Sequence, residues 1–295
     1  MPTTPGLLST YILQCQRLAK DTTNQFFSPQ EWTDYINDAR MRLVRDTGCL
    51  RNLLSSYVQA ATESYFFGGL SGIGITAPGS NYTAPTVSFS GGGGTGAAAT
   101  LSVSGGAITG VTVTSPGVGY TSSPSYLISD STGSGGALSI GILPQQAFDV
   151  MNINIIWGNS RIGLDYLPWS RFNYQVRGWI LLQGRPIVFS VYSPGGGPPV
   201  GGLSTGRIML GPPPDQNYAC EIDYVYQPYY FTGPTDTTID NIPYTYQSAI
   251  QFYAAYLGFQ KMQQTTQAMW FYKMYKMQVT SANNSNYTRR ISRAI

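Results

Sequence analysis

Between Ser64 and Phe148 the chain carries a single charged residue, Asp130. The stretch consists of Gly, Ser, Thr and Ala with short apolar runs, whereas charged amphipathic segments precede it and aromatic-rich segments follow it. Such an abrupt change of composition is typical of a separate module inserted into a continuous fold. We therefore predict one domain interrupted by a Gly-rich all-β insert, with these bounds: 1–67 and 145–295 for the domain, and 68–144 for the insert.

The insert contains a weak internal repeat. Gly79–Pro85 is echoed by Gly117–Pro124, and each copy is followed by a strand, a Gly-rich turn and a second strand. The alternation of strands with turns favours a folded structure over a disordered Gly/Ser linker. The repeat predicts two β-units that pack on each other. The predicted strands are 86–90, 98–103, 125–129 and 138–142, with a linking strand near 108–113.

Helix signals are strongest before the insert. Ser28 and Glu31 form a capping box at the start of a predicted second helix, and Gly48 suits the left-handed position at its end. The spacing of Asp38 and Arg42 predicts an ion pair on the outer side of this helix, worth about 0.3–0.5 kcal/mol. A first helix is predicted to begin at Pro5, because proline suits the first helical position.

The remaining segments predict a mixed structure. Residues 53–60 and 64–67 are predicted to pair as a hairpin, and the apolar runs after the insert predict an antiparallel sheet with a short helix at 168–176. Two helices from about Pro243 are expected to form an antiparallel hairpin, followed by an extended, exposed tail at 281–295. The predicted fold class is α+β: a four-helix core of two N-terminal and two C-terminal helices, an antiparallel β-sheet part and the inserted all-β module.

Composition constrains the surface more than the fold. Charged residues make up only 11% of the chain, well below the roughly 25% of ordinary soluble domains. A monomer of this composition exposes much uncharged polar and aromatic surface. Either that surface is buried against other copies or partners, or it is rich in Ser, Thr, Asn and Gln and stays exposed. The net charge of +3 is too small to indicate a nucleic-acid-binding protein.

The residues that usually perform catalysis are scarce. The chain has no histidine, which is the commonest general base and metal ligand. Its three cysteines are odd in number and far apart, so they predict neither a disulfide framework nor a zinc site; they are Cys15, Cys49 and Cys220. We therefore expect no enzyme activity, no cofactor and no metal.

Three weaker patterns have a structural and a functional interpretation. The glycine run at 91–96 resembles a phosphate-binding loop, but no Lys-Ser or Lys-Thr follows it, so a turn is favoured. Glu221 and Asp223 could share one strand face as a pair for glycoside hydrolysis, but a solvated strand face is favoured. Aromatic residues in the C-terminal helices could stack on bases or sugars, but at helical spacing they more often form a core or a subunit interface.

Targeting signals are also lacking in the sequence. No charged start followed by an apolar run marks a signal peptide, and no apolar run reaches the roughly 18–20 residues that cross a bilayer. The expectation is a soluble protein made in a reducing cytosol, without membrane contact.

The segment at residues 31–48 reads EWTDYINDARMRLVRDTG. It resembles a helix near the N-terminus of the head-to-tail adaptor (connector) proteins of short-tailed bacteriophages. The segment at 53–67 fits the one that follows this helix in the family. The resemblance covers nearly all of the chain outside the insert, because several segments agree in the same order. The other similar segments are 153–161, 167–173, 221–225, 249–257 and 286–291.

The resemblance implies a ring, usually of twelve copies, docked under the portal protein at the capsid vertex. In the family, helices surround a channel through which DNA passes during ejection without sequence-specific binding. The β part faces the tail nozzle or the tail-fibre proteins. The implied location is the head-tail neck of the virion, with assembly in the host cytoplasm. The insert departs from the plain family pattern, so its partner stays open.

Carried to this sequence, the resemblance assigns the C-terminal tail to portal binding and the helices to contacts between copies. The predicted portal-binding residues are Asn286, Tyr287, Thr288, Arg289, Arg290, Ile291 and Arg293. The candidate subunit-interface residues are Trp32, Tyr35, Arg42, Tyr256, Trp270 and Tyr275.

The alternative hypothesis is a tail adhesion or carbohydrate-binding protein that acts through the insert. Gly-, Tyr- and Thr-rich repeats also occur in phage fibres and surface modules. The first hypothesis expects rings that dock coaxially on a portal, whereas the alternative expects trimeric rods or glycan binding by the insert.

Overall fold

The computed structural model of the protein describes residues 6–175, 182–192 and 206–287. These residues form a mixed α+β structure with five helices and several antiparallel sheets, which confirms the predicted fold class at that level. The chain divides into two compact units. The helical unit comprises Met1–Arg51 and Gln227–Ile295, and the β unit comprises Asn52–Tyr226. The β unit holds both the insert and the strands that flank it, so the predicted insert bounds stay a prediction.

The described elements follow one another along the chain as a helical pair, a long series of strands and a second helical pair. In chain order they are α1 Leu8–Ala19, α2 Pro29–Thr47, β1 Arg51–Val58, β2 Ser64–Phe66, β3 Gly69–Ser80, β4 Thr86–Ser90, β5 Thr95–Ser104, β6 Ala107–Val118, β7 Ser125–Ser129, β8 Ser134–Leu143, β9 Ala147–Trp157, β10 Ser160–Gly163, β11 Asp165–Tyr166, α3 Trp169–Gln175, β12 Val188–Tyr192, β13 Arg207–Gly211, β14 Tyr218–Tyr226, α4 Tyr244–Lys261 and α5 Thr265–Tyr287.

In the helical unit, α4 contacts α1, α2 and α5. The predicted capping box of α2 is confirmed, since the Ser28 side chain accepts from the Glu31 N–H and the Glu31 carboxylate accepts from the Ser28 N–H. Gly48 ends this helix with φ 59°, the left-handed conformation that glycine tolerates.

The first helix begins later than the sequence predicts. Its first residue is Leu8, while Pro5 lies outside the described residues. Leu7 instead forms an antiparallel bridge with Ile239, and the Asp240 N–H donates to the Gly6 carbonyl. This pairing holds Leu7 extended, with φ −86° and ψ 141°, so the helix begins only at Leu8.

The β unit contains two four-stranded sheets, with strand orders β1-β14-β9-β10 and β11-β12-β13-β2. The predicted hairpin of residues 53–60 with 64–67 is wrong, because β1 and β2 belong to different sheets. Ala61 adopts φ 58° and its N–H donates to the carbonyl of Pro214, which turns the chain out of the plane of a hairpin. The pairs β9–β10, β12–β13, β2–β13 and β9–β14 are antiparallel, whereas β11 and β12 pair in parallel. Between the sheets lies a core that includes Ile153, Ile155, Phe189, Leu210 and Ile222.

The insert has its own strand pairs and its own core. The first copy of the repeat contributes β3, β4 and β5, and the second contributes β6, β7 and β8. The three antiparallel pairs are β3 with β8, β4 with β7 and β5 with β6, so each pair joins the two copies. The buried core residues are Leu70, Ile73, Tyr82, Ile108, Val111, Tyr120, Leu138 and Ile142.

The C-terminal segment corrects the prediction of an extended tail at 281–295. Helix α5 continues to Tyr287, so residues 281–287 are helical. The helix continues because Ala282 is buried and the Tyr246 hydroxyl donates to the Asn283 side chain at 3.0 Å. The rest of the predicted tail, from Thr288 onward, lies outside the described residues.

Candidate subunit-docking surface

Two of the six candidate interface residues belong to the core of the helical unit. Trp32 and Tyr275 are each 0% exposed in the single chain, and their contact with another copy stays a prediction. Trp32 packs against Phe27 with ring centroids 4.8 Å apart and the ring planes tilted by 52°, and the absence of a side chain at Gly258 makes room for it. The Tyr275 hydroxyl donates to the Asp46 carboxylate at 2.9 Å. Internal packing therefore explains both aromatics.

The other four candidates reach the surface to different degrees. Tyr35 and Tyr256 are half-buried, and Trp270 is 55% exposed. Arg42 is partly exposed and pairs with Asp46 at 3.1 Å, one helical turn further along α2. Arg42 thus pairs with Asp46, four residues after it, and not with Asp38, four residues before it. Asp46 also accepts hydrogen bonds from Lys276 and Tyr275.

The outer side of α5 exposes three large apolar side chains among polar residues that include Thr266, Lys273, Lys276 and Thr280. Met269, Trp270 and Met277 are 60%, 55% and 55% exposed. Lys273 lies between them on the same face, since residues 269, 270, 273 and 277 follow helical spacing. The opposite side of α5 packs on α4, where the rings of Phe271 and Phe259 stack at 5.0 Å. The three large apolar side chains on the outer side therefore form a candidate contact surface.

The outer side of the first half of α2 is acidic. Asp34 and Asp38 are exposed and stand one turn apart. Partial burial raises the pKa of Asp38 above its usual value, and the neighbouring charge of Asp34 raises it further. Glu31, on the preceding turn, already pairs with Lys261 of α4.

Asp46 is the centre of a charged cluster at the other end of α2. It accepts hydrogen bonds from Tyr275 at 2.9 Å and Lys276 at 3.1 Å, and it pairs with Arg42. Burial alone would raise the pKa of Asp46, but these donors and cations lower it below its usual value. The cluster fixes α5 against α2.

A buried polar network orders the segment that leads into α4. Arg40 and Asp240 form a two-pronged ion pair with contacts of 2.8 and 3.1 Å, and both side chains are fully buried. Arg40 also donates to the Tyr229 carbonyl and lies over the Phe231 ring at 4.1 Å. The Tyr11 hydroxyl donates to Asp240 at 3.0 Å. Each buried charge thus has several partners, as burial requires.

The weaker sequence patterns have structural explanations in the β unit. The glycine run at 91–96 forms a turn whose inner space is filled by the ring of Tyr120. Glu221 pairs with Arg161 at 2.7 Å on the surface of the sheet. In the insert, all of which the structure describes, the aromatic residues Tyr82, Phe89, Tyr120 and Tyr126 are buried or half-buried in its core.

The predicted portal-binding residues lie at or beyond the end of α5. Asn286 and Tyr287 are its last residues. The others lie outside the described residues, namely Thr288, Arg289, Arg290, Ile291 and Arg293.

The sequence reasoning missed the residues around Trp270 that make the surface contiguous. Lys273, Met269 and Met277 carry a signal only once the inner side of α5 is known, since large apolar residues occur on both sides of this helix. No family model matches the sequence, and no curated protein matches it. Within the described ranges, no three His, Cys, Asp or Glu side chains group as a metal site, and no helix is long and apolar enough to span a membrane.

Proposed function

We propose that the protein is a structural component of a bacteriophage virion, a head-to-tail adaptor whose copies form a ring between portal and tail. The observation that carries this proposal is the exposed apolar face of α5, formed by Met269, Trp270 and Met277. Several large apolar side chains exposed on one side of a helix are typical of an interaction site. Trp is also the residue type that most often dominates binding energy at protein interfaces.

The adaptor role also assigns a function to each part of the fold. We interpret α1, α2, α4 and α5 as a four-helix core that forms the wall of the ring. The sheets flanking the insert then form the part that faces the tail, and the insert is a module added to it. DNA passes through the ring without sequence-specific contacts, in agreement with the small net charge of +3.

The energetics of a ring favour many moderate contacts over one strong contact. A stable obligate interface buries on the order of 2,000 Å² or more. Each copy in a ring makes two such contacts, so closing the ring couples them and raises the overall stability. The low charge content of 11% reduces the desolvation cost of burying these surfaces.

The alternative, a carbohydrate-binding insert, receives less support. Sugar-binding sites commonly present an exposed aromatic ring on which the apolar face of the sugar stacks. The four aromatic residues of the insert instead pack inward, and Tyr82 and Tyr120 are only 6% and 2% exposed. The outward residues of β4 and β7 are mainly Ser and Thr, with Leu127 as the one large exposed apolar side chain of these two strands.

The proposed portal-binding segment begins at the end of α5. Removal of all residues from 281 would delete a helical turn that carries the buried Ala282 and the partner of Tyr246. The suitable truncation ends the chain at Tyr287. We expect it to keep the fold and the ring but to lose association with the portal.

Electron microscopy of the purified full-length chain, with and without the portal protein of the same virus, tests the proposal. The expected result is a ring with a central channel that docks coaxially on the portal. The adaptor role would be overturned by trimeric rods, or by a monomer that binds glycans but does not bind the portal. The Tyr287 truncation serves as the matched control for portal docking.

A further inference from the structure

Some lysines of α4 and α5 form ion pairs with carboxylates of α2 in the same chain. Lys261 pairs with Glu31, and Lys276 pairs with Asp46 at 3.1 Å. One lysine of these helices, Lys273, has no carboxylate partner among the described residues. Asp34 and Asp38 of α2 are exposed and have no cation partner among the described residues, although Asp34 accepts a hydrogen bond from the Gln30 side chain at 3.2 Å.

We propose that the outer face of α5 in one copy docks on the outer face of α2 in a second copy, with Lys273 against Asp34 and Asp38. The inference rests on the proposed function, because it specifies how copies of the adaptor join. It commits to a head-to-tail contact between two different surfaces. Repeated around an axis, such a contact closes into a ring.

Charge favours this arrangement over a symmetric one. If two α5 faces met each other, their lysines would be brought together, and two α2 faces would bring four carboxylates together. Like charges placed face to face across an interface cost several kcal/mol and are a common means of excluding the wrong partner. The mixed contact brings Lys273, which has no carboxylate partner among the described residues, to the carboxylate pair.

The state of Asp38 in the single chain agrees with a missing cation. Its pKa lies above the usual aspartate value because of partial burial and the nearby Asp34 charge, and no cation in the described part of the chain offsets these effects. A lysine supplied by another copy would offset both. The apolar residues around Lys273 provide the buried area that the charges alone do not.

The roles within the contact differ. Trp270 is the expected anchor, and its replacement by alanine is expected to weaken association by on the order of 30-fold or more. Lys273 and the two aspartates determine which surface is chosen, so their contribution falls as salt screens it. High salt is therefore expected to weaken the wild-type assembly less than loss of Trp270 does.

A charge-exchange experiment on the full-length chain tests the inference. One variant carries Lys273→Glu, and the other carries Asp34→Lys with Asp38→Lys. Each alone is expected to lose assembly in sedimentation velocity, whereas an equal mixture regains it, because each variant then offers the charge that the other needs. Lys20→Glu makes the same charge change at an exposed position outside both faces and is expected to assemble normally.

The outcomes separate this inference from the adaptor role. If the wild type forms rings and Lys273→Glu forms them equally well, the α5–α2 contact is wrong and the adaptor role stands. If the mixture fails to regain assembly although circular dichroism shows both variants folded, the pairing of these two faces is wrong. If the wild type assembles neither alone nor on the portal, both proposals are wrong.

Discussion

The ring of Tyr120 lies over Gly94, where a β-carbon on residue 94 would come within 2.5 Å of the ring. The second copy of the repeat shows the reciprocal relationship, since a β-carbon on Gly133 would overlap the ring of Tyr82. Each tyrosine comes from one copy and fills the glycine turn of the other. The two copies therefore stabilise each other through side-chain packing as well as strand pairing.

This packing predicts that Gly94→Ala and Gly133→Ala each destabilise the β unit by about 1–3 kcal/mol, because the added methyl group displaces a buried ring. Chemical denaturation followed by tyrosine fluorescence measures the change. Gly110→Ala is the matched control in the same insert, since its β-carbon would lie at 3.6 Å from Ser102, an ordinary contact. Equal stability of all three variants would contradict the packing described.

The buried ion pair of Arg40 and Asp240 predicts a large effect from removing one partner. Asp240→Asn leaves the Arg40 charge without a counter-charge in a fully buried position, which costs about 3–5 kcal/mol. The control is Arg161→Ala, which breaks an ion pair whose arginine side chain is 68% exposed. That change is expected to cost under about 1 kcal/mol. Similar unfolding midpoints for the two variants would show that the buried pair is misassigned.

Sequence alone predicted the features that depend on neighbouring residues. The capping box of Ser28 and Glu31 lies within one helical turn, so local pattern is sufficient to find it. The hairpin prediction failed because strands 51–58 and 64–66 are adjacent in the chain yet pair with strands about 150 residues away. Patterns among neighbouring residues do not indicate pairing between such distant strands.

The candidate interface was only partly predictable for a related reason. In α5 the buried Tyr275 and the exposed Trp270 are both large aromatics, and apolar residues occur on every side of the helix. Because large apolar residues also occur among the polar residues of the exposed side, helical spacing does not reveal which of them point inward. Trp32 is likewise a candidate interface residue, and within the chain it packs against Phe27.

Asp21 predicts a stability change in acid. It is 2% exposed and accepts from the N–H groups of Gln25, Phe26 and Phe27 at 2.7–3.0 Å. Burial alone would raise the pKa of Asp21, but these three donors lower it below the usual value. Since the folded pKa lies below the unfolded one, this stabilisation is full above the unfolded pKa and is lost as pH falls through the folded pKa.

The corresponding experiment compares the wild type with Asp21→Asn in denaturant titrations from pH 7 to pH 2.5. At pH 7 we expect the variant to be less stable by about 1.5–3 kcal/mol, the range for hydrogen bonds to a charged group. The difference should shrink below about pH 4, near the ordinary aspartate pKa. Asp34→Asn, at an exposed position on α2, is expected to give a smaller difference at pH 7. If the stability difference between the wild type and Asp21→Asn instead grows as the pH falls, the pKa of Asp21 is raised by folding, which contradicts the hydrogen bonds described.

The three free thiols predict an ordered pattern of labelling. Burial raises the pKa of Cys220 to about 12 and also raises that of Cys15, and both side chains are 0% exposed. Cys49 is only half-buried. At pH 8 in native buffer, iodoacetamide is expected to label Cys49 slowly and the other two only after denaturation. Peptide mass spectrometry distinguishes the sites, and rapid labelling of Cys220 in the native protein would contradict its place in the β14 core.

Cys15 and Cys220 also report on different parts of the chain. Cys15 belongs to the helical unit and Cys220 to the β unit. Labelling measured along a urea gradient therefore follows the unfolding of each unit separately. Coincident midpoints would indicate one cooperative transition, and separated midpoints two.

The bounds of the insert decide which deletions the β unit tolerates. Leu143, inside the predicted range 68–144, is 1% exposed and belongs to the core of the flanking sheets. The N–H of Gly68 donates to its carbonyl, so the chain enters and leaves the insert at adjacent points. A variant that joins Gly68 to Leu143 through a short Gly-Ser linker should therefore fold. A variant that lacks all of 68–144 also loses Leu143 and should be less stable by about 2–5 kcal/mol.

Both deletions uncover one surface of β1. The backbone of Tyr57 lies so close to Gly72 that a β-carbon there would come within 2.9 Å of the Tyr57 carbonyl oxygen, and the Ser56 hydroxyl contacts that of Ser71 at 2.7 Å. Without the insert, Tyr57 becomes exposed on a strand and favours aggregation. Tyr57→Ser in the shorter deletion is expected to restore solubility, as judged by light scattering, while circular dichroism stays unchanged. Loss of helix signal in the 69–142 deletion would show that the helical unit depends on the insert.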